Sequence, residues 1–362
     1  MTVMSAADIH RVVQPVASRF TLRQLEYALT VADEGTMTGA ADRLNVSQSA
    51  VSLAVADLER ALGVQLFMRR KARGVTLTGA GRTILPEIRS LLAQAGDLQS
   101  TARSFGESIE GTLLLGCYPT LTPFLMPPVL GGFPRRHPSV DIDLFEGAVD
   151  EMQQRLLDGR CEIALMYDTG IQPDVATVLL YRLRPYLVLP ADHRLARADG
   201  PVPLAELRGE PMVMPHMPPS EDMFRAVLGA ADVHPEVRFR TTTSEAVRSL
   251  VASGGGYSLG LHHPSPTTTY AGLSLTYREI ADDVPEVGVV LAHARTARLT
   301  RRARAFTEFC RQTLVPDGWT PDDDLAEAAG TGARTSVSSS CPSCVTVERN
   351  SRPVSCAAFD IN

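Results

Sequence analysis

Apolar residues recur every three or four positions from Leu22. Leu22, Leu25 and Leu29 fall on one helical face, and Val31 and Ala32 close it. Gly35 ends that helix. Thr38 is placed to cap a second helix over residues 39–44, and Asn45 and Val46 read as a tight turn. Ser47 then caps a third helix that reaches Leu62 and stops at Gly63. Two short helices joined by a turn of a few residues form the helix-turn-helix layout. Residues 64–67 and 75–77 read as short strands on either side of Gly74, a hairpin wing. Thr78 caps a long fourth helix to Phe105. Its apolar positions are Leu85, Ile88, Leu92, Ala95, Leu98, Ala102 and Phe105, a stripe that suits a coiled-coil-like dimer seam. The other reading of that stripe is packing on its own domain. So small a domain cannot cover so long a face, which favours the seam.

From Gly111 the period changes. Residues 112–117, 140–145 and 161–166 read as strands, with helices over 123–136 and 149–157 between them. A second round follows, with strands at 186–189, 211–214, 237–241 and 257–261 and helices at 221–231 and 244–252. A last strand over 286–291 and a helix over 300–314 are expected to return to the first lobe. Strands alternating with helices predict two α/β lobes, each with a mostly parallel sheet, and a cleft between them. The expected division is an extension over 1–19, a mainly-α winged helix-turn-helix domain over 20–80 and a linker or dimerisation helix over 81–109. A two-lobed domain covers 110–315, with lobe I over 110–184 and 286–315 and lobe II over 185–285. A Ser-rich tail over 316–362 reads as disordered.

The whole-chain charge of −6 does not suggest a nucleic-acid partner, but Arg69, Arg70, Lys71 and Arg73 put four bases at the expected wing. Local charge density governs phosphate contact more than the total does. No run of about 18 apolar residues occurs, and residues 1–20 lack the basic start and apolar stretch of a secretory signal; both point to the cytoplasm. Six cysteines are present. Cys117, Cys161 and Cys310 lie in apolar segments and read as buried thiols. Cys341 and Cys344 form a CxxC with Cys356 after it, but no second ligand pair follows, so no metal or cofactor is expected. His262 and His263 are adjacent and point apart in most backbones.

The region from Phe20 to Gly81 resembles the LysR-type transcriptional regulators. The residues that carry the likeness are Leu22 to Leu25, Ala40 and Ala41, Leu44, the run from Val46 through Ser47, Gln48, Ser49, Ala50 and Val51 to Ser52, Leu58 and Glu59, Leu62 to Val64, Leu66 and Phe67, Arg69 and Arg70, and Leu77 to Gly81. A looser likeness runs to about residue 314, through Gly111 to Gly116, Leu157 to Leu165, and Val247 to Leu259. The resemblance implies two Rossmann-like lobes of the kind found in periplasmic binding proteins. It also implies a homodimer or homotetramer, promoter DNA as partner, and a small-molecule effector in the cleft. The two residues after Ser52 are Leu53 and Ala54, where the family often carries Arg and Gln, so two polar contacts are missing.

A third helix docked in the major groove aims its first side chains at base edges. Gln48 is the expected base reader, because a carboxamide bonds bidentate to adenine. Ser49 and Ser52 reach a base or a phosphate, Ala50 meets a thymine methyl, and Ser47 is foremost a cap. Thr36 and Thr38 suit phosphates, as do Arg69, Arg70, Lys71 and Arg73. In the cleft, Tyr118 and Thr120 follow the first strand, Tyr167 ends the third, and Thr242, Thr243 and Ser244 open a helix. Their hydroxyls, with the free N–H groups of a helix start, suit a polar or anionic small molecule. Residues 253–256 are glycine-rich but lack the lysine of a P-loop and read as a turn. GxSxG, GxGxxG and HExxH are all absent, so catalysis is not expected. The remaining alternative is a small-molecule-binding protein or an α/β enzyme using Cys117, with no DNA role.

Overall fold

The computed structural model describes residues 19–70, 74–103, 109–264 and 267–315. The first 18 residues, Lys71 and Arg73 of the wing, Phe105, and the tail with Cys341, Cys344 and Cys356 lie outside the described residues.

Three helices open the described residues, α1 (Leu22–Glu34), α2 (Met37–Leu44) and α3 (Gln48–Leu62). Thr21 and Gln24 form a reciprocal cap at the start of α1, which satisfies two otherwise unpaired donors. The second helix starts earlier than expected. Thr36, not Thr38, is its cap, accepting from the Gly39 N–H at 2.9 Å. Leu25, Val31, Ala40, Val51, Val55 and Leu58 bury their side chains where the three helices meet, while Leu22 stays 47% exposed.

The wing consists of β1 (Phe67–Arg70) and β2 (Gly74–Leu77), paired antiparallel. The first strand begins three residues later than the pattern implied. The cause is Glu59 on α3, whose carboxylate accepts from the Leu66 and Phe67 N–H groups at 2.7 and 3.0 Å and folds that stretch onto the helix. Replacing Glu59 with Ala is expected to remove about 2 kcal/mol of stability, since both amides lose a charged acceptor. Urea unfolding of the full chain measures it. The second strand is held to α1 by a bond of 2.8 Å from the Val75 N–H to the Gly35 carbonyl. Gly74 has φ +77°, and a Cβ there would come within 2.3 Å of that same carbonyl oxygen, so only glycine fits.

The long helix α4 (Gly79–Arg103) is capped by Thr78, whose hydroxyl accepts from the Gly81 N–H at 2.9 Å. Its apolar stripe divides. Leu85 and Ile88, read from sequence as a dimer seam, are 1% and 4% exposed inside the core of the first three helices, and Leu92 packs beside them. The first turns of α4 lie across α1, so the early part of the stripe closes its own domain. Further along the stripe Leu98 is 71% exposed, and Leu91, beside the stripe, is 42% exposed.

The α/β region contains β3 (Gly111–Cys117), α5 (Thr122–Arg136), β4 (Val140–Glu146), α6 (Val149–Leu157), β5 (Ile163–Tyr167) and β6 (Val175–Leu183). The chain continues through β7 (Tyr186–Pro190), β8 (Pro211–Pro215), α7 (Ser220–Ala230), β9 (Glu236–Thr241), α8 (Ser244–Ala252) and β10 (Ser258–Gly260). It closes with β11 (Leu275–Glu279), β12 (Val287–Ala294) and α9 (Arg301–Thr313). One sheet has the order β4-β3-β5-β12-β6. Its β3 runs parallel to β4 and β5, but β12 is antiparallel to both β5 and β6. The other region pairs β7 antiparallel to β10 and β11, and β8 parallel to β9. Because β6 is antiparallel to β12, it points the same way as β5, β3 and β4, so the first sheet is mostly parallel as expected and β12 alone enters it reversed, coming back from the far region.

Helix α4 is tied to both of its neighbours. Arg89 pairs with Asp33 of α1 and donates to the Asp158 carbonyl at 2.7 Å. Arg302 on α9 bridges Asp97 of α4 at 3.1 Å and Glu162 at 2.6 Å. Burial pushes the Glu162 carboxyl up, more than the facing guanidinium draws it down.

Candidate DNA interface and effector cleft

The turn between α2 and α3 is built by Asn45 at φ 53°, a left-handed conformation that asparagine tolerates. Ser47 then caps α3, its hydroxyl accepting from the Ala50 N–H at 3.2 Å and lying 3.0 Å from the Ser49 hydroxyl. Because Val51, Val55 and Leu58 face the core, the opposite face of α3 is free. Gln48, Ser49 and Ala50 are exposed and Ser52 is half-buried. Leu53 follows Ser49 by one turn and is 62% exposed, so an apolar side chain stands among the polar ones. Sequence reading treated Leu53 only as a lost polar contact; its position on the exposed face was the signal overlooked. Thr36 and Thr38 are exposed at the start of α2. Arg69 and Arg70 end β1.

The cleft forms where β3 and β5 end and face the start of α8. Thr120 and Tyr167 share a hydrogen bond of 3.1 Å. The Tyr167 hydroxyl lies 3.4 Å from Nδ1 of His262, and the Tyr181 hydroxyl 3.1 Å from its Nε2. Phe124 stacks on the same imidazole at 4.7 Å between centroids. His262 follows β10 of the far region, so one imidazole joins α5, β5 and β6 to it. Burial pushes this imidazole down to about 4, which leaves it neutral at pH 7. The chain Thr120–Tyr167–His262–Tyr181 was not foreseen as a unit. Sequence offered only an adjacent histidine pair, and the strand that carries Tyr181 was not expected.

A cavity of about 110 Å³ opens against this chain. Thr120, Tyr167, Thr242, Thr243 and Ser244 all line it, as does His262. Tyr118 does not. It is 0% exposed, and its hydroxyl lies 3.3 Å from the Met217 and Pro218 carbonyls and from the Ser220 hydroxyl. The side chain thus ties the end of β3 to the segment before α7, which turns it away from the opening. At the start of α8 the Thr243 hydroxyl accepts from the Ala246 N–H at 3.3 Å. Arg248 also borders the cavity, and pairs with Glu245 at 2.7 Å.

Cys117, Cys161 and Cys310 are buried. Burial pushes the thiols of Cys117 and Cys161 up to about 12 and that of Cys310 upward as well, so none of the three forms a thiolate nucleophile at neutral pH. The glycines at 254–256 make a turn pressed on β8. Gly256 has φ +130°, and a Cβ there would lie 2.0 Å from the Pro211 carbonyl oxygen. Among the described residues no group of three or more His, Cys, Asp or Glu is placed to hold a metal, and no helix is long and apolar enough to cross a membrane.

Two family models match the chain. Residues 22–82 match the bacterial regulatory helix-turn-helix protein, lysR family, and residues 106–315 match the LysR substrate binding domain. The HTH-type transcriptional regulator XapR of Escherichia coli is 34% identical over 244 residues, covering 67% of this chain and 82% of the relative. The hydrogen peroxide-inducible genes activator of Escherichia coli O157:H7 is 29% identical over 241 residues, covering 66% and 78%. Among solved structures, HinK, a LysR family transcriptional regulator from Pseudomonas aeruginosa, superposes with a TM-score of 0.56 at 31% identity over 82% of this chain and 99% of its own. An exposed, capped third helix followed by an α/β region fits those matches, and the chain belongs to the LysR family: it is a DNA-binding transcriptional regulator with an effector-binding domain, not an enzyme.

Proposed function

We propose that promoter binding by this regulator is modulated by a small molecule held in the cleft. The observation that carries the reading is that the cavity is walled from both sides, by Thr120 and Tyr167 at the first sheet and by Thr243 and His262 from the other region. An occupant that prefers one spacing of these walls shifts the equilibrium between conformations by its difference in affinity. The division at residues 20–80, 81–109 and 110–315 belongs to this proposal, as does a cytoplasmic setting.

At the DNA, Gln48, Ser49, Ala50 and Ser52 face the major groove, and Leu53 adds an apolar contact for a thymine methyl. Thr36 and Thr38 meet phosphates beside α2, and Arg69, Arg70, Lys71 and Arg73 meet them from the wing. Ser47 serves mainly as the cap. The protein works as a homodimer or homotetramer, and the exposed Leu91 and Leu98 on α4 support that partnership. The buried thiols of Cys117, Cys161 and Cys310 do not support peroxide sensing at those positions.

Fluorescence anisotropy on the gene's own upstream DNA, at several salt concentrations and with a metabolite panel, tests the reading. Gln48→Ala is expected to weaken operator binding by about 1–3 kcal/mol while leaving binding to random DNA unchanged. Equal loss on both DNAs would contradict base reading by Gln48. No metabolite effect on operator affinity would contradict the cleft's role.

A further inference from the structure

We propose that the effector is an uncharged, ring-sized molecule with one hydrogen-bonding end; this rests on the cleft reading above and narrows it. Size comes first. A space of about 110 Å³ is of the order that accepts a single six-membered ring. The walls are suited to one. Phe124, Tyr186, Phe224, Val247 and Leu261 all border it, and ring faces at this density favour stacking or edge-to-face contact.

Charge decides the rest. Arg248 is the one permanently cationic side chain among the described residues bordering the cavity, and it is committed elsewhere. Its guanidinium bonds to Glu245 at 2.7 Å, to the Tyr277 hydroxyl at 3.1 Å and to the Thr268 carbonyl at 2.7 Å. The start of α8 gives an anion little more. Thr243 already accepts from the Ala246 N–H, and Glu245 puts a negative charge in the first turn that offsets the helix dipole. A carboxylate entering this space would lose its water without gaining a cation, and such burial is strongly unfavourable. An anionic effector, expected from the helix start alone, is therefore disfavoured.

The polar end has a clear place. Thr120, Tyr167, His262 and Tyr181 form a neutral chain in which each hydroxyl can turn and the imidazole can change tautomer. Such a chain both donates and accepts, so it serves an amide, a hydroxyl or a ring nitrogen. Burial keeps His262 uncharged, which preserves that versatility at neutral pH.

The test uses benzamide and benzoate, which share ring and size and differ in charge, titrated calorimetrically into the full chain at neutral pH. Benzamide is expected to bind roughly tenfold or more tightly than benzoate. Val247→Phe, which fills the space with apolar bulk, should abolish benzamide binding. If that variant fails to fold, Thr120→Val keeps the shape, removes the hydroxyl and should weaken benzamide severalfold. Benzoate binding as tightly as benzamide, and lost in Val247→Phe, would overturn neutrality while leaving the cleft reading intact. Neither probe binding at millimolar concentration would overturn the ring-sized assignment, with the cleft still judged by the metabolite panel. Benzamide binding untouched by both variants would place it outside the cavity and overturn the inference, with the cleft reading again decided by the metabolite panel.

Discussion

Replacing Arg302 with Ala is expected to lower the unfolding free energy by about 3–5 kcal/mol, the usual loss when one partner of a buried ion pair is removed. The side chains of Arg302, Asp97 and Glu162 are 12%, 17% and 13% exposed. Burial already pushes the Glu162 carboxyl up, so the guanidinium is what makes its charged form tolerable. Without it a carboxylate stays inside the protein with too little compensation. Arg302→Lys should recover only part of the loss, because one ammonium does not span two carboxylates as a planar guanidinium does. Urea unfolding of the full chain measures both variants. A loss below about 1 kcal/mol for Arg302→Ala would show that the bridge is worth no more than a surface pair. The pairing also fixes α4, which carries the DNA-binding helices, to the α/β region through Asp97. Arg89 makes the same kind of tie from α4 to Asp33 and the Asp158 carbonyl.

Stability is expected to fall by about 3 kcal/mol through His262 alone as the pH drops from 6.5 to 4. Burial holds the folded imidazole at about 4, against 6.5 when exposed. Between those values the unfolded chain takes up a proton that the folded chain refuses, so acid favours unfolding. Above 6.5 the full contribution is present. His262→Gln removes the titration while keeping a hydrogen-bonding side chain beside Tyr167 and Tyr181. Denaturant unfolding at neutral pH and near the lower limit of that window should show a shallower decline for the variant. Parallel curves for both proteins would mean that His262 takes up its proton in the folded chain without resistance.

The two regions of the chain were unequally legible. In α1–α3, local chemistry and tertiary contacts agree: apolar spacing, a hydroxyl cap at Thr21, Thr36 or Ser47, and a left-handed residue at Gly35, Asn45 or Gly63 specify the helices without help from distant residues. Two local errors arose there, and both came from competing contacts. Thr36 and Thr38 are equally good capping residues, and the choice fell to the one whose hydroxyl reaches Gly39. The start of β1 moved because Glu59 captured two amides seven and eight residues on. In the α/β region Val149–Leu157 and Ser244–Ala252 match their predicted bounds. The strands Val175–Leu183 and Leu275–Glu279 were not expected. Both carry mixed polar and apolar residues with little period, and their partners lie far along the chain.

The candidate sites divide in the same way. Gln48, Ser49 and Ala50 are exposed because the spacing of Val51, Val55 and Leu58 leaves no other face for them, so sequence alone placed them. Thr120, Thr242, Thr243 and Ser244 could be assigned to strand and helix ends by the α/β rule. Whether each side chain faces the cavity depended on packing, as Tyr118 shows by turning toward Ser220 instead. His262 could not be placed from its neighbours at all.

Sequence by itself determined the helical period, the caps, the alternation of strands and helices, and hence the architecture and the exposed face of α3, because all of these follow from interactions within a few residues. Tertiary structure alone decided which half of the α4 stripe is buried, which way β12 runs, and which residues gather around His262. Those outcomes rest on contacts between segments separated by as many as about two hundred residues, such as Asp97 with Arg302, whose energies no local pattern records.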